Sequence, residues 1–198
     1  NFLKTGEYTG TQSSQVWYSD LIKHLAKNVK RQFYPLNTEP VGNDKIDFPI
    51  NNFICVASGL KPWLLPMYYA NETDPLVVNF VDFSDGAVEF QRHLGTWSGE
   101  VGTYSTFVQN FLTNNPTFES CDPPGPYDKE LKKQLASMQL DSKVFMQVWR
   151  HVNKHQNYTI LDLYTEQGQD YIIDLVKQND TTYLWLSNAF YMEYALVT

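Results

Sequence analysis

NFICVASGLKP, WLLPMYYANETDP and LVVNFVDFSDGAVEFQRHL follow one another from Asn52 to Leu94, and their reading decides the fold. Phe53 to Ala57 is an uninterrupted apolar run of strand formers, the pattern of a strand covered on both faces in a parallel sheet. It stops at Ser58-Gly59. Glycine accepts a positive φ and admits a close approach to the backbone, and Pro62 suits the first turn of a helix. Leu76 to Val81 repeats the apolar pattern with Asn79 as its exception, and ends in Asp82. Asp82 follows Gly59 at close to the ~20-residue interval that separates a glycine turn from a ribose-binding carboxylate. Ser84 or Asp85 then caps a helix whose Ala87, Val88, Phe90, Gln91 and Leu94 form a partly apolar face.

On the N-terminal side, residues 1 to 13 are polar, and a helix is predicted from Ser13 or Ser14. Val16, Trp17, Leu21, Leu25, Ala26 and Val29 recur at helical spacing, and Lys27, Lys30 and Arg31 give it the basic ending that a helix C-terminus prefers. Its apolar face packs on a sheet or, in a sharper reading, lends Tyr8, Trp17 or Tyr18 to a lid. Residues 34 to 51, with Pro35, Pro40, Gly42 and Pro49, read as a connection. Beyond Leu94, helices are predicted over Tyr104 to Leu112, Tyr127 to Met138 and Ser142 to His155. They make 95 to 157 a helical insertion of the kind that serves as a lid or substrate-selecting element. Strands resume at Tyr158 to Leu161, ending in Asp162-Leu163, and at Thr182 to Leu186, ending in Ser187-Asn188-Ala189-Phe190. Right-handed crossovers put all these strand ends on one edge of the sheet.

Composition narrows the function. A chain of 198 residues is expected to form a single domain over 1–198, with a helical cap over 1–51. It shows no basic leader and no long apolar segment, which argues for no membrane contact, and it reads as a trimmed piece, incomplete at its C-terminus. The net charge of −7 with 15 Lys and Arg disfavours duplex nucleic acid, whose affinity is mostly cationic neutralisation of phosphate. Cys55 and Cys121 make neither a disulfide framework nor a zinc site, so a reducing, cytoplasmic setting is the expectation and no metal is assigned. Asn71, Asn157 and Asn179 head glycosylation-like tripeptides that read as chance matches.

The ordered strand ends resemble the first two-thirds of a class I S-adenosylmethionine-dependent methyltransferase, from about Phe53 to Phe190. The resemblance implies an α/β, Rossmann-like three-layer sandwich with a mainly parallel sheet and the helical insertion between its second and third core strands. It implies S-adenosyl-L-methionine as cofactor and transfer of its methyl group to an acceptor that stays open. By the same resemblance, Ala57, Ser58 and Gly59 pass under the methionine part of the cofactor. Asp82 holds the ribose hydroxyls and Phe83 lies against the adenine. Asp162, with Leu163 beside it, accepts from the adenine amino group, and Ser187, Asn188 and Phe190 face the reacting methyl. The resemblance further implies closing strands, expected from a segment after residue 198 or from a second chain, unless the sheet is left short.

The turn VASGLKP has one glycine and no acid, where the family commonly carries an acid and further glycines. That favours, as an alternative, a catalytically inactive Rossmann-like binding or scaffold module. Ser-Asn-Ala-Phe after the fourth strand differs from the Asn/Asp-Pro-Pro-Tyr of base methylases and argues against that substrate class. Asp82 and Asp85 offer another alternative, the metal-binding pair of a nucleotide-sugar glycosyltransferase. Asp122-Pro123-Pro124 with Tyr127 echoes a methylase motif but reads as a turn and helix start. His93, His151 and His155 are weighed as general bases and read as solvated surface, so the catalytic residues are left unknown.

Overall fold

A computed structural model of the chain describes residues 30–37, 48, 50–69, 76–179 and 181–186. The helix expected from Ser13, the tripeptide at Asn71, and Ser187, Asn188 and Phe190 lie outside the described residues. The chain divides into two compact units, Asn1–Lys30 and Arg31–Thr198, and every strand and helix among the described residues lies in the second.

The fold is mixed α/β with parallel sheets. Strand β2 (Asn52–Val56) leads through helix α1 (Lys61–Tyr69) to β3 (Val77–Asp82) and α2 (Asp85–Leu94). Then come α3 (Tyr104–Asn114), a short β4 (Phe118–Ser120), α4 (Tyr127–Ser137) and α5 (Ser142–Val152). β5 (Gln156–Ile160), α6 (Glu166–Lys177) and β6 (Thr182–Trp185) complete the described chain. The main sheet has the order β5-β3-β2-β6, and every neighbouring pair is parallel. Successive strands therefore step outward from β2 to β3 to β5, and the chain then returns to place β6 on the other side of β2. The order reverses between β2 and β6, which is the switch point of an open α/β sheet.

The two faces of this sheet differ in chemistry. Register puts Phe53, Cys55, Val78, Phe80 and Tyr158 on one face, and the first four are fully buried. Tyr158 stacks on Phe80 with centroids 5.0 Å apart, and Trp63 of α1 lies between Phe80 and Trp149 of α5, 3.9 Å from the latter. Such aromatic pairs stabilise beyond their buried area, by about 1 kcal/mol each. The opposite face carries a polar row. Asn157 Nδ2 donates to Asn79 Oδ1 at 2.9 Å, Asn79 Nδ2 to Asn52 Oδ1 at 2.8 Å, and Asn52 Nδ2 to Thr182 Oγ1 at 2.9 Å. One amide or hydroxyl from each strand is thus paired across the whole sheet, which fixes its register. Tyr171 of α6 meets Thr159 on this second face, with 3.0 Å between hydroxyls.

Two short strands were not foreseen. Arg31, expected in the last turn of a helix, begins strand β1 (Arg31–Phe33), which pairs in parallel with β4. β4 itself falls within the stretch 95–157 read as helical. Three-residue strands carry too few positions to show a period, so only their packing explains them. Phe33 stacks on Phe90 of α2 with centroids 4.1 Å apart and meets Phe111 and Phe118 edge-on. Gly86 makes room for β1, since a Cβ there would stand 2.7 Å from the carbonyl oxygen of Gln32.

Candidate functional site

Parallel strands deliver their carboxyl ends to one edge, so the turn after β2, the acid ending β3 and the loop after β5 form a continuous rim. Backbone hydrogen bonds join them: Ala57 N donates to Val81 O at 3.2 Å and Leu161 N to Asp82 O at 2.7 Å. The structure thereby brings Ala57, Ser58, Gly59, Asp82, Phe83, Asp162 and Leu163 onto neighbouring strand ends.

At the β2 end, Gly59 has φ +56°, the left-handed conformation that its sequence position predicts. Gln91 of α2, wholly buried, donates Nε2 to Gly59 O at 2.6 Å and accepts from Trp63 Nε1 at 2.7 Å. A residue read in the sequence as one position of a partly apolar helix face is thus the internal brace of the turn. The bare flank of Gly59 is covered by the chain itself. A Cβ there would lie 2.5 Å from Leu36 C and Asn37 N, and Asn37 Nδ2 donates to Ser58 Oγ at 2.9 Å. Leu36 and Asn37 were missed because the stretch Tyr34 to Asn37 has no periodicity and its contacts are remote in sequence.

At the β3 end, Asp82 is 8% exposed and accepts from Ser84 N at 2.9 Å. Burial pushes its carboxyl up to about 6, against the lowering effect of the backbone N–H groups of Ser84, Ala57 and Phe83. Ser84 caps α2, its Oγ accepting from Ala87 N at 3.2 Å. Phe83 and Ile160 turn outward, 74% and 60% exposed. Ile160 is the register partner of Asp82, so an apolar side chain stands beside the buried acid. Asp85 does not join it. Its Oδ2 lies 3.0 Å from Arg31 Nε as an ion pair without hydrogen-bond alignment, while Arg31 Nη2 donates to Asp85 O at 3.2 Å. Asp85 is engaged with β1, which weakens the metal-pair alternative.

At the β5 end, Asp162 is exposed and its Oδ1 accepts from Tyr164 N at 2.9 Å, which shapes the turn into α6. Leu163 is buried and lines an apolar cavity of about 260 Å³ with Gln169, Ile172, Ile173 and Leu186. Leu186 directly follows β6, so the cavity spans the loop after β5 and the end of the fourth strand. It is half-open and smaller than the ~300–1,000 Å³ of typical small-molecule sites.

The histidines weighed as bases sit elsewhere. His155 immediately precedes β5, at the amino edge, and its carbonyl accepts from Val78 N. His151 is in the last turn of α5, just before that edge. His93 lies inside α2, at the end remote from the rim, stacked on Phe107. Asn153 Nδ2 donates to Gly95 O there at 2.5 Å and ties the end of α2 to the end of α5. Asp122, the methylase-motif decoy, accepts from Leu36 N at 2.7 Å through Oδ2, a structural duty.

A scan against protein-family models and searches of curated proteins and of solved structures find no significant match to this chain. No described helix is long and apolar enough to cross a membrane.

Proposed function

We propose that this rim binds S-adenosyl-L-methionine and that the chain transfers its methyl group to an acceptor. One observation carries the reading: a buried acid, Asp82, ends the strand between the glycine turn of β2 and the acid-bearing loop of β5, in the order β5-β3-β2-β6. The complete fold on this reading is a three-layer Rossmann-like sandwich with 95–157 as its insertion. The setting is cytoplasmic, the partner is a small molecule, and no duplex nucleic acid is engaged.

Asp82 fits such a ligand. Ionised, it is an acceptor in an apolar surround with no cation paired to it among the described residues, so two hydroxyl donors would lower its burial penalty. Phe83 and Ile160 supply a flat apolar flank, Asp162 an exposed acceptor for an amino group, and Leu163 one wall of the small cavity. Ala57, Ser58 and Gly59 border the methionine end. When bound, the sulfonium supplies an already activated methyl group, so the chain's own task is positioning.

A second reading has its own support. The flank of Gly59 that a cofactor would approach is occupied by Leu36 and Asn37, as expected of a binding or scaffold module that has lost catalysis. Calorimetry with S-adenosylmethionine and S-adenosylhomocysteine separates the two. Saturable binding that disappears in Asp82→Ala supports the cofactor site, whereas no heat from the wild type favours the scaffold.

A further inference from the structure

We propose that Leu36–Asn37 is an autoinhibitory plug, which fills the crease beside Gly59 and must withdraw before a ligand reaches the β2 turn. The identity of that ligand rests on the cofactor reading above; the plug does not. Two features carry it.

First, the turn has hydrogen bonds of its own that do not involve the plug. Gln91 Nε2 holds Gly59 O, Ser58 N donates to Val56 O at 2.8 Å, and Ala57 N donates to Val81 O. Nothing in that set comes from residues 34–37.

Second, the plug is held by a different part of the molecule. Leu36 N donates to Asp122 Oδ2 at 2.7 Å, Gln134 Nε2 of α4 donates to Asn37 O at 3.0 Å, and Tyr104 OH of α3 donates to Pro35 O at 2.5 Å. Across the crease the tie is polar, from Asn37 Nδ2 to Ser58 Oγ. A serine hydroxyl bound by an amide is a group that a polar ligand can take over. The approach that glycine's missing side chain allows is therefore used by the chain in place of a ligand, in a contact that separates two bodies each braced from within.

The test compares the full chain with Asn37→Ala and Ser58→Ala, which remove the same hydrogen bond from opposite sides. Amide hydrogen exchange of Leu36 and Asn37, without ligand, is expected to quicken about fivefold in both variants, as loss of one modest hydrogen bond allows. S-adenosylhomocysteine is expected to bind Asn37→Ala about fivefold more tightly than the wild type, because the binding-competent open state is populated about fivefold more. Unchanged exchange in both variants overturns the plug, and so does equal or weaker binding by Asn37→Ala. Quickened exchange with no binding by any of the proteins keeps the plug and removes the cofactor assignment.

Discussion

At the β2 end of the rim, each side of the turn is met by the chain: Gln91 from within and Leu36–Asn37 from above. At the β3 and β5 end the same edge is open, with Phe83, Ile160 and Asp162 facing solvent around the buried carboxyl of Asp82. Glycine and aspartate are both strand-end signals of a ligand site, yet they have different fates here. The missing Cβ of Gly59 is consumed by an intramolecular contact, whereas the acid remains a buried acceptor without a cation among the described residues. A glycine turn therefore reports that something approaches the backbone, and what approaches is decided by the rest of the chain.

Gly59→Ala strikes the closed end hardest. A methyl group at φ +56° overlapping the Leu36–Asn37 backbone should cost about 4 kcal/mol, from left-handed strain and overpacking together. Urea denaturation measures it, and a loss below about 1 kcal/mol would mean that the crease yields easily.

Asp82 probes the open end through pH. Its folded value of about 6 lies above that of an unfolded carboxyl, so its contribution to stability is complete below about pH 4 and is lost as pH rises through 6. Asp82→Asn should remove that slope. The variant's stability relative to wild type then rises by up to about 3 kcal/mol between pH 4 and pH 7, read from denaturation curves at each pH. A pH-independent difference would place the carboxyl in water.

Asn79→Ala is a control away from the rim. It leaves Asn157 Nδ2 and Asn52 Oδ1 without their cross-strand partner and should cost about 2 kcal/mol, with ligand binding unchanged. The smallest effect on stability is expected from Phe83→Ala, within about 0.5 kcal/mol because the ring is exposed. The same substitution should weaken S-adenosylhomocysteine about tenfold in a calorimetric titration, the value of one lost stacking contact.

Much of the sheet was legible because its strands are buried runs bounded by turn residues. Phe53–Ala57 and Leu76–Val81 were each displaced by one residue from the observed β2 and β3, and the helix starts at Tyr104, Tyr127 and Ser142 were all read correctly. Of the two caps offered, Ser84 and Asp85, the structure uses Ser84. What stayed hidden depends on contacts distant in sequence. β1 and β4 have three residues each, and their reason for existing is Phe33 seated on Phe90 and Phe111. Gln91 looked like a helix-face residue, since no local pattern shows that its amide reaches Gly59 and Trp63. Asp82, Asp162 and Gly59 were legible as strand ends. That Gly59 would be covered by Leu36–Asn37 was not, because a short aperiodic segment carries no signal of where it docks.

The central claim is that the rim from Gly59 to Leu163 receives an adenosine-bearing ligand around Asp82, and backbone amide chemical shifts of the full chain titrated with S-adenosylhomocysteine test it most directly. Saturable shift changes concentrated at 57–59, 82–84 and 161–163 are predicted. A spectrum unmoved by excess ligand, or changes centred on residues away from those strand ends, would contradict it.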